Sequence, residues 1–180
     1  MIKKSEHTPA HLFRNKTPYF ITSAIFQKRR LLTDDRKERL LEVFHYYFEK
    51  FNWELQHWVI LDNHYHLLCM SDDGSDLTKI MRPIHGLLGK EIFLETNCEK
   101  PVWWNYWDYC PRSEKDYYAR LNYLLYNPIK HGYVTDLKDY EFSSFKKLFE
   151  DEGREKLTSQ FKKYPEYQTL DLSETLDDEF

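Results

Sequence analysis

Two short runs carry the residue types from which a reaction can be built. In "LDNHYHLLCM" (61–70), His64 and His66 stand either side of Tyr65. On a strand successive side chains alternate between faces, so both imidazoles would project from one face and Tyr65 and Leu67 from the other. In "SEKDYYARLNYLLYNPIKHG" (113–132), a helical period puts Tyr117, Leu121, Leu124 and Leu125 on one side and Asp116, Arg120, Tyr123 and Asn127 along another. Tyr123 and Asn127 are one turn apart. If that polar face covers the strand, two imidazoles, an amide oxygen and a phenol converge. The first three can ligate a divalent cation, and the fourth can act as a nucleophile.

Such a set suits phosphodiester chemistry. A phenol with an ordinary pKa of about 10 is a weak nucleophile at neutral pH and needs an electrophile that is polarised and held in line. Mg2+ or Mn2+ held by few protein ligands keeps positions for phosphate oxygens. Attack by Tyr123 would join the nucleic acid covalently to the chain and conserve the phosphodiester energy for a later rejoining. Tyr126 is the rival nucleophile, one turn further round and nearer the core edge.

The elements that must position these residues are legible as periods. "TPYFITSAIF" (17–26) reads as a first strand, and "TDDRKERLLEVFHYYFEKF" as an amphipathic helix with Asp34 and Asp35 in its first turn. The apolar runs 53–61 and 64–70, joined by "DN", predict a hairpin whose second strand opens on the histidine pair. In "SDLTKIMRPIHGLLGKEIFLETN", Leu77, Ile80, Met81, Ile84, Leu87 and Leu88 recur at helical spacing, while Pro83 and Gly86 predict a kink or break. "PVWWNYWDY" reads as a further aromatic strand. The order β-α-β-β-α-β predicts an α+β fold with a ferredoxin-like antiparallel sheet. To it the tyrosine helix is appended, opened by a Ser113/Asp116 capping box and interrupted at Pro128 before Gly132. The domain is expected over residues 1–150, and the acidic remainder, 151–180, as a poorly packed tail.

Charge and composition set the class. Residues 151–180 carry nine acids against four bases, so the net charge of −4 belongs to that segment and residues 1–150 are left at +1. Within these, Lys28, Arg29 and Arg30 beside the first strand, and Arg112 and Arg120 near the tyrosine, are candidate phosphate contacts, with plain solvation as the alternative for each. Trp103, Trp104 and Trp107 could stack unpaired bases, although the strand spacing commits at least one side of them to the core. His45 and His85 fall within helical patterns and read as partly buried or surface side chains, and His131 as a cap for helix carbonyls. No apolar run approaches the ~20 residues of a membrane span, and the start has no apolar segment of a secretory signal. Three cysteines without CxxC pairing suit a reducing compartment, so the expected location is the cytoplasm.

These motifs also carry a resemblance. "NHYHLL" resembles the His-hydrophobic-His element of single-tyrosine HUH transposases of the insertion-sequence type. "YLLYNPIKHGYV" resembles the tyrosine-helix signature of their REP-associated relatives, with "DLTKIM" and "DYEFSSF" in matching places, so the likeness spans about residues 15 to 146. It implies His64 and His66 as metal ligands, Asn127 as the third ligand in place of a glutamine, and Tyr123 as the nucleophile. It further implies cleavage and rejoining of single-stranded DNA near short hairpins, of REP-like or element-end sequence, through a 5′-phosphotyrosine with a free 3′-hydroxyl. The active unit would be a monomer or a homodimer, with no membrane partner. Two other readings stay open on the residues: a non-catalytic single-stranded nucleic-acid-binding module on the same sheet, and a phosphohydrolase using water, which would want more carboxylates.

Overall fold

In the computed structural model, which describes residues 13–170 and 172, four strands form one antiparallel sheet in the order β2-β3-β1-β4. β1 is Pro18–Ala24, β2 Glu54–Ile60, β3 His64–Met70 and β4 Trp107–Tyr109. Helices α1 (Asp34–Lys50) and α2 (Leu77–Thr96) complete the expected β-α-β-β-α-β order, and α3 (Glu114–Lys130) and α4 (Phe145–Lys163) follow. The turn between β2 and β3 is tight: the Leu61 amide donates to the His64 carbonyl at 2.8 Å across Asp62 and Asn63.

Alternation along β1 and β3 gives the sheet two apolar faces. Tyr19, Ile21, Tyr65, Leu67 and Cys69 pack against Leu40, Phe44 and Phe48 of α1 and Ile80, Met81 and Ile84 of α2. Phe20 and Leu68 pack on the other side with Leu121, Leu124 and Leu125 of α3 and Phe145 and Leu157 of α4. The helical periods read in the sequence are therefore the core faces, with Leu87 exposed. Tyr65 lies on the side away from the histidines, as the strand period requires.

Three expectations need correction. α2 runs through Pro83 and α3 through Pro128 as single helices. A proline deletes one backbone hydrogen bond, but Ile84, Asn127 and Pro128 are buried, and tertiary packing holds the helical geometry. The aromatic strand shrinks to three residues. Upstream of it only an isolated bridge, Ile25 to Trp103, joins the run to the end of β1, with amide bonds from Trp104 to Ala24 and from Phe26 to Val102.

The segment from residue 151 is not a loose tail over the described residues. It continues α4 to Lys163, and Leu157, Tyr164 and Leu172 are buried. Asn122 of α3 fastens it: its Nδ2 donates to the Tyr164 carbonyl at 3.0 Å, and its Oδ1 accepts from Gln160 Nε2 at 2.7 Å. The period was hidden because Gly153, at φ +78°, breaks the helical phase midway. Residues 173–180 lie outside the described residues, as does Asp171.

Candidate active site

Strand register decides what faces α3. Thr22 pairs with His66 and Ala24 with His64, so Thr22 and both histidines share the face that α3 covers. Ser113 caps α3, accepting from the Asp116 amide at 3.1 Å, and from that start Tyr123 and Asn127 fall on the sheet side. His64 Nε2 lies 3.1 Å from Asn127 Oδ1, and the His66 and Tyr123 rings meet edge-on with centroids 5.3 Å apart. The two imidazoles stand edge to face at 5.2 Å. All four residues singled out in the sequence thus converge, within one chain.

The hydrogen bonds fix which nitrogens point inward. Asn63 Nδ2 donates to the Lys28 carbonyl at 3.1 Å, which leaves its Oδ1 to accept from His64 Nδ1 at 2.7 Å. In the neutral ring, His64 Nε2 then presents a lone pair to a second lone pair, that of Asn127 Oδ1. Two acceptors at 3.1 Å repel unless a proton or a cation stands between them. His66 is held differently: Nδ1 sits 2.7 Å from the Thr22 hydroxyl, which can give or take a proton, and Nε2 is buried without a hydrogen-bond partner. Burial, helped by His64, His131 and Lys130 nearby, holds the His66 pKa well below the ordinary imidazole range, so its ring stays neutral, and with the proton on Nδ1 the Nε2 lone pair is available.

These atoms fit a divalent cation. Ligands about 2.1 Å from one ion and at right angles stand about 3.0 Å apart, close to the His64 Nε2 to Asn127 Oδ1 separation of 3.1 Å. The orphaned His66 Nε2 supplies a third donor, and Asn127 Nδ2, also buried and unpartnered, makes no bond that a bound ion would break. Among the described residues no three His, Cys, Asp or Glu side chains cluster for a metal. A cation here would rest on two imidazoles and an amide, with its charge left largely for a phosphate to meet.

Tyr123 is 2% exposed, its ring edge-on to Phe20 at 6.5 Å and its hydroxyl accepting from Lys130 Nζ at 3.0 Å. Tyr126 points elsewhere, against Tyr167 at 5.2 Å, and does not reach the histidines. The basic candidates divide. Arg29 donates to the carbonyls of Phe26, Glu99 and Pro101 at 2.8–2.9 Å, which makes it a brace for that loop. Arg30 pairs with Asp62 at 3.2 Å and bonds the Tyr133 hydroxyl. Arg120 bonds Asp116 at 3.1 Å and lies 3.7 Å over the Tyr109 ring. Lys28 and Arg112 are exposed.

Four residues of the site were not assigned to it in the sequence: Thr22, Asn63, Lys130 and His131. The His131 amide caps the Asn127 carbonyl at 3.0 Å, while its ring stands against His64, centroids 4.9 Å apart. Lys130 was findable, because seven residues after Tyr123 is the same face two turns on.

Comparison with known protein families covers the strand that carries His64 and His66 and stops short of Tyr123. The family of IS200-like transposases matches residues 15–112. The chain belongs to the IS200-like transposase family. A REP-associated tyrosine transposase of Escherichia coli K12 is 32% identical over 95 residues, 52% of this chain and 54% of that protein, so the chain spans about half of that relative's length. A putative REP-associated tyrosine transposase of Haemophilus influenzae is 27% identical over 138 residues, 71% of this chain and 78% of the relative. A REP-associated tyrosine transposase solved bound to a REP hairpin superposes with TM-score 0.64 and 26% identity, covering 80% of this IS200-like chain and 84% of the other. No helix among the described residues is long and apolar enough to cross a membrane.

Proposed function

We propose that this chain is a divalent-metal-dependent single-tyrosine transposase that cleaves and rejoins single-stranded DNA beside a hairpin of REP-like or element-end sequence. The observation that carries the reading is the meeting of β3 with α3: His64 against Asn127 at 3.1 Å and His66 against Tyr123 at 5.3 Å between rings. Family membership and the likeness to a transposase solved on a REP hairpin support it.

His64 Nε2, His66 Nε2 and Asn127 Oδ1 would hold the metal. A Mg2+ or Mn2+ held there would supply Lewis-acid polarisation of the scissile phosphate and offset the charge its oxygens gain. Thr22 and Asn63 hold the two rings with Nε2 inward. Tyr123 gives up its phenolic proton to solvent, which later returns one to the 3′-oxygen, and the phenolic oxygen bonds to phosphorus. The P–O3′ bond breaks, the 5′-phosphate stays on Tyr123, and the departing 3′-oxygen takes a proton to become a hydroxyl. Lys130 keeps a positive charge beside the attacking oxygen throughout. Rejoining is the reverse, with a 3′-hydroxyl attacking the phosphotyrosine. Because the site is complete within one chain, action in cis by a monomer is the simpler arrangement.

The burial of Tyr123, at 2% exposure, favours the competing reading of a non-catalytic single-stranded nucleic-acid-binding module. One assay separates the two. A labelled hairpin with single-stranded flanks, incubated with Mn2+ and resolved on a denaturing gel, should yield a covalent adduct that Tyr123→Phe abolishes and Tyr126→Phe retains. Retention of DNA without cleavage would establish the binding module, and cleavage without an adduct a water-using phosphohydrolase.

A further inference from the structure

On the sheet face opposite Tyr123, α2 and residues 100–106 enclose a groove of 890 Å³. Its lining includes three permanent cations, Arg82, Lys90 and Lys100, and no acidic residue, on a chain whose net charge is −4. The acids of α2 face away: Glu91 and Glu95 reach Arg39 and Arg36 of α1. Among the described residues the three groove cations have no ion-pair partner. Lys100 Nζ instead sits 3.9 Å over the Phe93 ring. Charge collected on one concave surface and left unpaired there is placed for an anionic ligand.

The groove is also aromatic. Trp103 is buried with its indole N–H lacking a hydrogen-bond partner, and His85 stacks on it at 4.7 Å with planes 4° apart. Trp104, half-buried, lines the same groove. Two glycines of α2 serve it differently. A Cβ on Gly89 would stand 3.3 Å from Trp103 Cδ1, so Gly89 seats that indole. A Cβ on Gly86 would meet nothing within 4 Å. Glycine in a helix interior costs about 1 kcal/mol relative to alanine, and no close neighbour requires it at position 86. What a side chain there would do is fill the groove.

We propose that this groove binds a few unpaired nucleotides of the DNA strand, with bases stacked on its aromatic faces and phosphates on Arg82, Lys90 and Lys100; DNA as the polymer rests on the transposase reading above. An unpaired strand fits better than a duplex stem, because aromatic faces engage bases only when these are unstacked from a helix. The position is also apt. The Tyr65 hydroxyl lies 2.7 Å from His85 Nε2, so the groove wall is bonded to the residue between the two histidines of the site.

The test is equilibrium binding of a short labelled single-stranded DNA without divalent metal, for the full chain, Gly86→Leu and the double variant Arg82→Gln/Lys90→Gln. The urea midpoint of each variant is measured alongside. The full chain should bind with quenching of tryptophan fluorescence. Gly86→Leu should weaken binding about tenfold or more at an undiminished urea midpoint. The double variant should flatten the salt dependence by about 1.4 in log–log slope, about 0.7 for each phosphate no longer neutralised. Unchanged affinity in both variants would overturn the proposal, as would no single-strand binding by the full chain, or tighter binding of RNA or duplex. The Tyr123 adduct assay judges the enzyme separately: an adduct without groove dependence removes only the groove, and groove-dependent binding without an adduct removes only the nuclease.

Discussion

The ammonium of Lys130 lies 3.0 Å from the phenolic oxygen of Tyr123 and 4.6 Å from the centre of its ring. In the proposed reaction a positive charge beside the attacking oxygen would offset the negative charge that develops there as the proton leaves. Removing the charge should therefore slow chemistry more than binding. Lys130→Met is expected to lower the single-turnover rate of adduct formation by about 10²-fold, the scale of losing one oriented donor, with Lys130→Arg retaining part of it. Lys130 is exposed, so the urea midpoint should hold. An unchanged adduct rate in Lys130→Met would remove Lys130 from the reaction.

In the proposed metal site, Thr22 would act through His66. Its hydroxyl is the 2.7 Å partner of His66 Nδ1, and that bond holds the ring with Nε2 toward the site. Thr22→Val keeps the shape and deletes the partner. The expected result is about 10- to 100-fold weaker Mn2+ binding by calorimetry, with Thr22→Ser close to the parent. Equal Mn2+ affinity in parent and Thr22→Val would show that His66 is oriented by packing alone, or is not a ligand.

Stability should fall on mild acidification. Burial pushes the His85 pKa down to about 3 and that of His57 to about 4, whereas an unfolded chain protonates both near 6.5. Above pH 6.5 both states are neutral at these rings and neither contributes. Below it the unfolded state binds the extra protons, so the folding free energy shrinks as pH drops from 6.5 toward 4. His85 alone should cost about 1–2 kcal/mol by pH 5. Urea midpoints at pH 7, 6 and 5 should decline, and His85→Gln should show a shallower decline. A flat profile in the parent would mean that both rings are protonated in the folded state.

What could be read from the sequence was what depends on local period. Two histidines two apart on a strand must share a face, and Tyr123 and Asn127 four apart on a helix must share another. That those faces meet could be stated from the sequence only as a condition, because it depends on how α3 packs on the sheet. Thr22 was invisible because its place opposite His66 is set by the β1–β3 register, which links residues 44 apart. Lys130 was visible by spacing but read as part of a motif and not as a partner of Tyr123. The prolines misled in the other direction, since a lost backbone bond at Pro83 or Pro128 is a local penalty that burial of the surrounding apolar side chains overrides. Past residue 151 the phase break at Gly153 hid a helix whose anchors, Leu157 and Tyr164, lie beyond it.

Arg29 is where charge read from sequence and charge seen in the structure part company. A run of Lys28, Arg29 and Arg30 suggests phosphate contacts, yet the Arg29 guanidinium spends its donors on three carbonyls, Phe26 at 2.9 Å and Glu99 and Pro101 at 2.8 Å each. A donor so engaged cannot also grip a phosphate without releasing the loop that ends in the groove wall. Arg29→Gln should accordingly destabilise the fold by about 1–3 kcal/mol, the range for bonds to a charged group, and leave the salt slope of DNA binding where it was. Exposed Arg112 supplies the contrast: Arg112→Gln should leave stability unchanged and reduce the slope by about 0.7 if its side chain meets one phosphate. Urea titration together with affinity measured across a salt series separates the two roles. A lowered slope in Arg29→Gln at unchanged stability would return Arg29 to the DNA surface.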